Sequence, residues 1–266
     1  MNVSALQTFA RDYAAHREAE GRRYSGDALL TLPYLQAGPL ARQWAVRART
    51  FDALLARVIR PATAEGRRLD VLDLGAGNGW LSYRIALEGH RATALDIRDD
   101  DVDGLGASTP FLNRADGRMQ TLVAGFEEIP APDASFDLAV FNASLHYAID
   151  LAAVLREAAR VVRPGGRLAI LDSPFYRREA DGLAMAAEKA AEAPTRFGPR
   201  AGALMALPFI EFLTPARLAA ASASTGIKWR RQPVLYPLWY ELRSVTATLR
   251  GRRRPSRFDL WIGGRP

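Results

Sequence analysis

Three glycines at alternate positions, Gly75, Gly77 and Gly79, follow directly on the apolar run Val71-Leu72-Asp73-Leu74. Glycine at such a strand-to-helix junction lets the chain turn sharply and bring its backbone against a ligand with no Cβ in the way. The helix that starts there adds the positive end of its dipole. In an open α/β sheet this junction is where ligands bind, although a tight turn that binds nothing is the alternative. What is absent narrows the chemistry. The dinucleotide fingerprint G-x-G-x-x-G would need glycine at position 80, where Trp80 stands, and no Gly-Lys pair occurs anywhere, so a triphosphate loop is absent too. Asp96 closes Ala94-Leu95-Asp96-Ile97, 23 positions after Asp73. A carboxylate at the end of a neighbouring strand is placed to accept both hydrogen bonds of a ribose diol; an ordinary helix-capping aspartate is the other reading.

The elements that must position these residues are legible as changes of rhythm. Val3 to Arg17 and Pro39 to Ile59 carry apolar residues at helical spacing, with an irregular stretch, Tyr24 to Gly38, between them. Short apolar runs then alternate with helical ones: Asp70 to Leu74, Ala92 to Ile97, Met119 to Ala124, Phe136 to Asn142 and Arg167 to Asp172. Strands separated in this way predict a parallel sheet. A helix from about Asp150 to Arg163 opens on a capping aspartate and stops before Pro164-Gly165-Gly166. After Asp172 come a helical insertion, a helix from Thr214-Pro215 to about Ser224, and two further strands, Ile227 to Leu235 and Arg257 to Gly263.

With these elements in order, the chain resembles the class I S-adenosylmethionine-dependent methyltransferases, in particular their small-molecule branch. Asp73-Leu74-Gly75-Ala76-Gly77-Asn78-Gly79 is similar to the family's first motif and Asp96 to its ribose-binding acid. Glu127-Glu128-Ile129-Pro130 with Ser135-Phe136-Asp137 is similar to the approach to the fourth strand, and Arg160-Val161-Val162-Arg163-Pro164-Gly165-Gly166 to the signature before the fifth. The resemblance covers about residues 68 to 172. It implies a doubly wound, Rossmann-like α/β fold with a seven-stranded, mostly parallel sheet whose last strand is antiparallel. Residues 1–66 would then be an N-terminal helical cap or lid, and 67–266 the core with a helical insertion at about 173–225.

The resemblance also implies a cofactor, S-adenosyl-L-methionine, with S-adenosyl-L-homocysteine as product. The loop from Gly75 through Ala76, Gly77 and Asn78 would hold its methionine end, with Asp73 fixing the loop or the amino group, and Asp96 with Ile97 would meet the ribose. The family's adenine-binding aspartate near the third strand is replaced by Gly125, followed by Phe126, so apolar contact from Phe126 and a polar one from Glu127 are expected instead. Asn142 and Ala143 would lie beside the sulfonium. Methyl transfer asks chiefly for in-line positioning in a dry pocket. A hydroxyl acceptor must also lose a proton, and His146 is the best-placed base, with Tyr147 beside it; fixing the loop by hydrogen bonds is the alternative for both. O-methylation is therefore expected ahead of N- or C-methylation. Tyr24, Tyr34, Trp44, Trp80 and Tyr176, from the cap, the first turn and the insertion, are expected to close over the acceptor.

Composition sets the remaining bounds. The 266 residues are 48% hydrophobic and 24% charged, as in a globular protein, and contain no cysteine, which removes disulfides, zinc-cysteine sites and thiol nucleophiles together. Three scattered histidines give no basis for a metal site. No apolar run reaches the length of a membrane span, so a cytoplasmic protein, monomeric or homodimeric, is expected. The net charge of +7 is almost all arginine and includes the cluster Arg250-Gly251-Arg252-Arg253-Arg254-Pro255-Ser256-Arg257. That cluster keeps methylation of RNA as an alternative, although Asn142-Ala143-Ser144-Leu145 lacks the Asn/Asp-Pro-Pro-aromatic motif of base-amine methylation. A non-catalytic binder of S-adenosylmethionine or S-adenosylhomocysteine is the third reading.

Overall fold

The computed structural model describes residues 3–63 and 66–266, except for the side chain of Val3; positions 1–2 and 64–65 of the expected cap lie outside the described residues. Seven strands, β1 (Asp70–Leu74), β2 (Arg91–Asp96), β3 (Met119–Val123), β4 (Phe136–Asn142), β5 (Val162–Leu171), β6 (Lys228–Gln232) and β7 (Leu260–Gly264), form one sheet. Their spatial order is β3-β2-β1-β4-β5-β7-β6. The first five run parallel, and β7 is antiparallel to both β5 and β6, as the resemblance implied. Strand order reverses between β1 and β4, and such a switch opens a crevice at the carboxyl ends of the strands.

Eight helices among the described residues have six residues or more: α1 (Val3–Ala19), α2 (Gly26–Thr31), α3 (Ala41–Leu54), α4 (Trp80–Leu87), α5 (Leu151–Val161), α6 (Glu179–Phe197), α7 (Pro215–Ala221) and α8 (Arg243–Leu249). Because side chains alternate along a strand, Val71, Leu138 and Ala169 face one layer and Leu72, Leu74 and Ile170 the other. The first layer is completed by Phe51 and Leu54 of α3 and Leu81 and Ile85 of α4, so the second half of the N-terminal region shares its core with the sheet. The second layer is completed by Val154, Leu155 and Ala158 of α5 and Leu218 of α7. A smaller cluster of Phe9, Leu204 and Leu207 ties α1 to the insertion.

The strand expected over Ile227 to Leu235 is shorter, Lys228–Gln232, and three other boundaries differ from expectation, each for a local reason. α2 stands in the stretch read as irregular; Leu29 is buried, and the Arg84 guanidinium donates to the carbonyl oxygens of Leu30 (2.8 Å) and Leu32 (2.5 Å), closing the helix end. α5 starts as expected, with the Asp150 carboxylate accepting from the Ala153 amide at 2.9 Å, but stops at Val161. Pro164-Gly165-Gly166 forms an irregularity inside β5, between the pairs Phe136–Val162 and Leu138–Arg167. Asp137 locks that irregularity from the facing strand, accepting from the Asp70 amide at 2.8 Å and pairing with Arg67 and with Arg163 at 2.8 Å. The final strand begins at Leu260 because Arg257 and Asp259 are spent elsewhere: Arg257 bridges to Phe175, and the Asp259 carboxylate takes Arg231 at 2.6 Å and the Val234 amide at 3.1 Å.

Candidate active site

A cleft of about 950 Å³ opens at the carboxyl ends of β1, β2 and β4. Its floor contains the expected loop: Gly75, Ala76, Gly77 and Asn78 line it, together with Asp96 and Ile97 from β2 and the residue after it. Gly125, Phe126 and Glu127 after β3, and Asn142 and Ala143 at the end of β4, complete this side. Gly75 is in the left-handed region at φ 74°, and a Cβ there would stand 2.4 Å from that of Ser144, so only glycine lets the β1 and β4 ends close on each other. The Ser144 hydroxyl donates to the Leu74 carbonyl and pins the two ends. Two non-glycine residues at strand ends, Ala143 (φ 57°) and Asp172 (φ 50°), also adopt the left-handed region. Such positions cost roughly 1–3 kcal/mol each and collect at functional sites.

The amides of Gly75, Ala76 and Gly77 are already taken within the protein. Those of Gly75 and Ala76 donate to the Leu95 carbonyl at 2.8 and 2.9 Å, and that of Gly77 donates to Asp96 Oδ2 at 2.7 Å. What the glycines supply is close approach, and the polar groups facing the cleft are side chains. Asp96 is buried, which raises its pKa, but its other oxygen accepts from the Arg98 amide at 2.9 Å. Burial likewise raises Glu127. Asp73 does not line the cleft. It lies fully buried beneath the loop, its Oδ2 accepting from Ser82 Oγ at 3.0 Å and its Oδ1 without a partner; burial pushes it up to about 7.

The roof is α1. Leu6, Phe9, Tyr13 and Arg17, one stripe at three- and four-residue steps, line the cleft opposite the glycine loop. Arg17 Nε meets Asp103 Oδ2 at 2.7 Å, the Arg98 guanidinium lies 4.9 Å from the Tyr13 ring centroid, and the hydroxyls of Tyr13 and Tyr147 are 2.9 Å apart. Arg47 of α3 also lines the cleft, with its nearest carboxylate, Asp172, 4.0 Å away. None of the α1 residues was expected as a site residue, whereas Arg47, with Arg42 and Arg49, was a candidate for recognising a carboxylate or phosphate, a solvated helix face being the alternative. The stripe was visible as helical periodicity, but nothing in the sequence says which surface a lone amphipathic helix will cover.

Of the two expected catalytic residues the fold brings only Tyr147 to the cleft. The His146 imidazole is half-buried, with a buried and unpartnered Nδ1, and desolvation lowers its pKa to about 3. Its backbone carbonyl accepts from the Glu211 amide at 3.0 Å. Among the five expected acceptor aromatics, Trp80 alone faces the cleft. Trp44 and Phe51 pack edge-on against it, each at 5.7 Å, and Trp44 Nε1 donates to the Tyr24 hydroxyl at 2.7 Å, so Trp44 and Tyr24 support Trp80 from behind. Tyr34 donates to Asp52 at 2.8 Å and borders a separate surface hollow with Trp239. Tyr176 is buried against Phe212, its hydroxyl accepting from Arg253 at 3.2 Å.

Comparison with known proteins agrees with this geometry. Residues 72–170 match the family described as a methyltransferase domain. The 27-O-demethylrifamycin SV methyltransferase of Amycolatopsis mediterranei is 40% identical over 111 residues, 38% of this chain and 38% of that protein. The ubiquinone/menaquinone biosynthesis C-methyltransferase of Rhizobium leguminosarum is 33% identical over 124 residues, 46% of each. The match thus spans less than half the length of these curated relatives. A solved geranyl diphosphate methyltransferase, in complex with GPP and sinefungin, superimposes with a TM-score of 0.63 at 14% identity over 99% of both chains, a likeness of fold. Residues 72–170 thus match a methyltransferase domain, and the sheet order and the glycine loop with its acid on β2 are similar to those of the class I S-adenosylmethionine-dependent methyltransferases.

Proposed function

We propose that this chain is an enzyme that binds S-adenosylmethionine in the cleft and methylates a small-molecule acceptor, at a hydroxyl oxygen ahead of nitrogen or carbon. The observation that carries this reading is the buried Asp96 carboxylate lining the cleft beside a bend free of side chains. The donor set fits the nucleoside: carboxylates of Asp96 and Glu127 for hydroxyl and amine donors, Ile97 and Phe126 for an apolar base, and Arg47 for a carboxylate. When bound, the cofactor supplies a methyl group already activated by its sulfonium. The protein's task is then orientation and exclusion of water. Asp96 holds the ribose, Gly125, Phe126 and Glu127 flank the adenine, Arg47 meets the methionine carboxylate, and Asn142 and Ala143 form the wall beside the sulfur.

In this reading the acceptor enters through a second cavity of about 620 Å³ that shares Phe9, Tyr13, Arg17, Tyr147 and Phe209 with the cleft. Its aromatic wall favours a small apolar or aromatic body. Arg22, Lys189 and Arg196 on its far side pair with Glu20 and Glu211 but outnumber them, and the net positive wall favours an anionic substituent. Burial and the neighbouring Tyr13 raise Tyr147, so it stays protonated and aligns the acceptor by hydrogen bonding. His146, too weakly basic to take a phenolic proton, serves as a positioning residue that fixes the loop carrying Tyr147. Titration calorimetry tests the reading first: S-adenosylmethionine and S-adenosylhomocysteine should each give saturable heat. Transfer of a labelled methyl group to a panel of phenols, hydroxy acids and amines should then single out an acceptor. Heat from a pyridine dinucleotide and none from S-adenosylmethionine would overturn the assignment.

A further inference from the structure

Ten large hydrophobic side chains are exposed among the described residues, and six of them, Leu235, Leu238, Trp239, Leu242, Val245 and Leu249, fall within fifteen residues between β6 and β7. From Leu238 onward they succeed one another at three- and four-residue steps along two consecutive short helices, Leu238–Glu241 and α8, while Leu235 lies in the irregular stretch before Pro237. The first part of the stretch is committed to the protein on its other side, whereas α8 has no buried residue. Val234, Tyr236 and Tyr240 are buried, the Tyr240 hydroxyl accepts from the Phe258 amide at 3.1 Å, and Glu241 is held by Arg257 at 2.6 Å. The segment is therefore anchored with its apolar ridge outward.

The same stretch concentrates charge. Residues 235–257 contain six arginines and a single acid, Glu241, so they hold +5 of the chain's net +7. Arg253 and Arg257 are spent internally, on Glu188 (2.6 Å) and on Glu241 and Asp259. Arg250, Arg252 and Arg254 are exposed; Arg254, after Arg178, helps to lower the pKa of Asp181. Arg42 of α3 adds a further cation, its guanidinium 5.9 Å from the Trp239 ring centroid.

We propose that this face docks on an anionic lipid bilayer. The ridge of leucines with Trp239 enters the boundary between headgroups and acyl chains, and the exposed arginines beside it meet the lipid phosphates. The charge selects this occupant. A second copy joined through the same face would set the exposed arginines of the two copies against each other. A nucleic acid would engage the arginines and leave the leucines in water.

Co-sedimentation of the intact protein with vesicles tests the proposal. Vesicles of phosphatidylcholine with phosphatidylglycerol should bind the protein roughly tenfold or more above phosphatidylcholine alone, and high salt should reverse that preference. The exposed triple variant Leu238→Ser, Trp239→Ala, Leu242→Ser should lose binding by about tenfold while its thermal melt stays unchanged. Arg250→Gln, Arg252→Gln, Arg254→Gln should abolish the preference for anionic vesicles. Failure to bind either vesicle would overturn the proposal, as would a dimer in analytical ultracentrifugation that the triple variant dissolves. So would retention on RNA with no retention on vesicles.

Discussion

The floor and the roof of the cleft are built by different means. The floor is short-range: Gly75 to Gly79 is one turn joining β1 to α4, and its partners Leu95 and Asp96 lie on the adjacent strand in a register fixed by the sheet. The roof is long-range: Arg17 reaches Asp103 across 86 positions and Tyr13 reaches Tyr147 across 134. A floor held by strand pairing and a roof held by the small apolar cluster around Phe9 with a few polar contacts fit, in the proposed function, a floor that sets what is bound and a roof that sets when it is enclosed. Release through the roof would break those contacts and leave the sheet intact.

The largest effect that would sharpen this contrast is on the floor. Asp96→Ala should weaken S-adenosylmethionine binding about tenfold to a hundredfold in calorimetry, the value of charge-assisted hydrogen bonds of about 1.5–3 kcal/mol. Unchanged affinity would remove the floor's assigned role. Gly75→Ala should destabilise the fold by roughly 2 kcal/mol or more, since it combines an unfavourable φ with a clash on Ser144, and the melt should fall by several degrees.

Buried titratable groups give an intermediate test. His146 binds its proton more weakly folded, at about 3, than unfolded, near 6.5, so acidification between those values favours the unfolded chain and stability falls as pH drops through that window. Asp73 acts in the opposite sense. Its folded value of about 7 exceeds its usual 3.8, so its contribution is lost as pH rises between them. In urea melts from pH 7 to pH 4, His146→Gln should therefore make the protein comparatively more acid-resistant, and Asp73→Asn should remove the opposing slope. If His146→Gln instead reshaped the pH–rate profile of methyl transfer with stability unchanged, His146 would be a base and not a positioning residue.

The smallest effects belong to the roof. Arg17→Gln should leave S-adenosylmethionine bound but raise its dissociation rate a few-fold in stopped-flow measurements. Tyr13→Phe should change kcat by no more than several-fold, in line with about 1 kcal/mol for one hydrogen bond. A loss from Tyr13→Phe as large as that from Asp96→Ala would break the division between floor and roof.

The sequence by itself determined the sheet and the floor. Strand runs, the capping Asp150, the glycine bend and Asp96 are local signals, and parallel pairing forces the ends of β1 and β2 together once those elements exist. Tertiary structure alone decided which side chains enclose the site. His146 and Tyr147 are neighbours in the chain, yet only Tyr147 lines the cleft, because the loop turns between them at a short helical turn packed on Phe209 and α1. Trp44 and Tyr24 likewise became supports for Trp80, and the stripe on α1 became the roof, since a helix's burial face is read from its sequence but the surface it covers is chosen by contacts far along the chain.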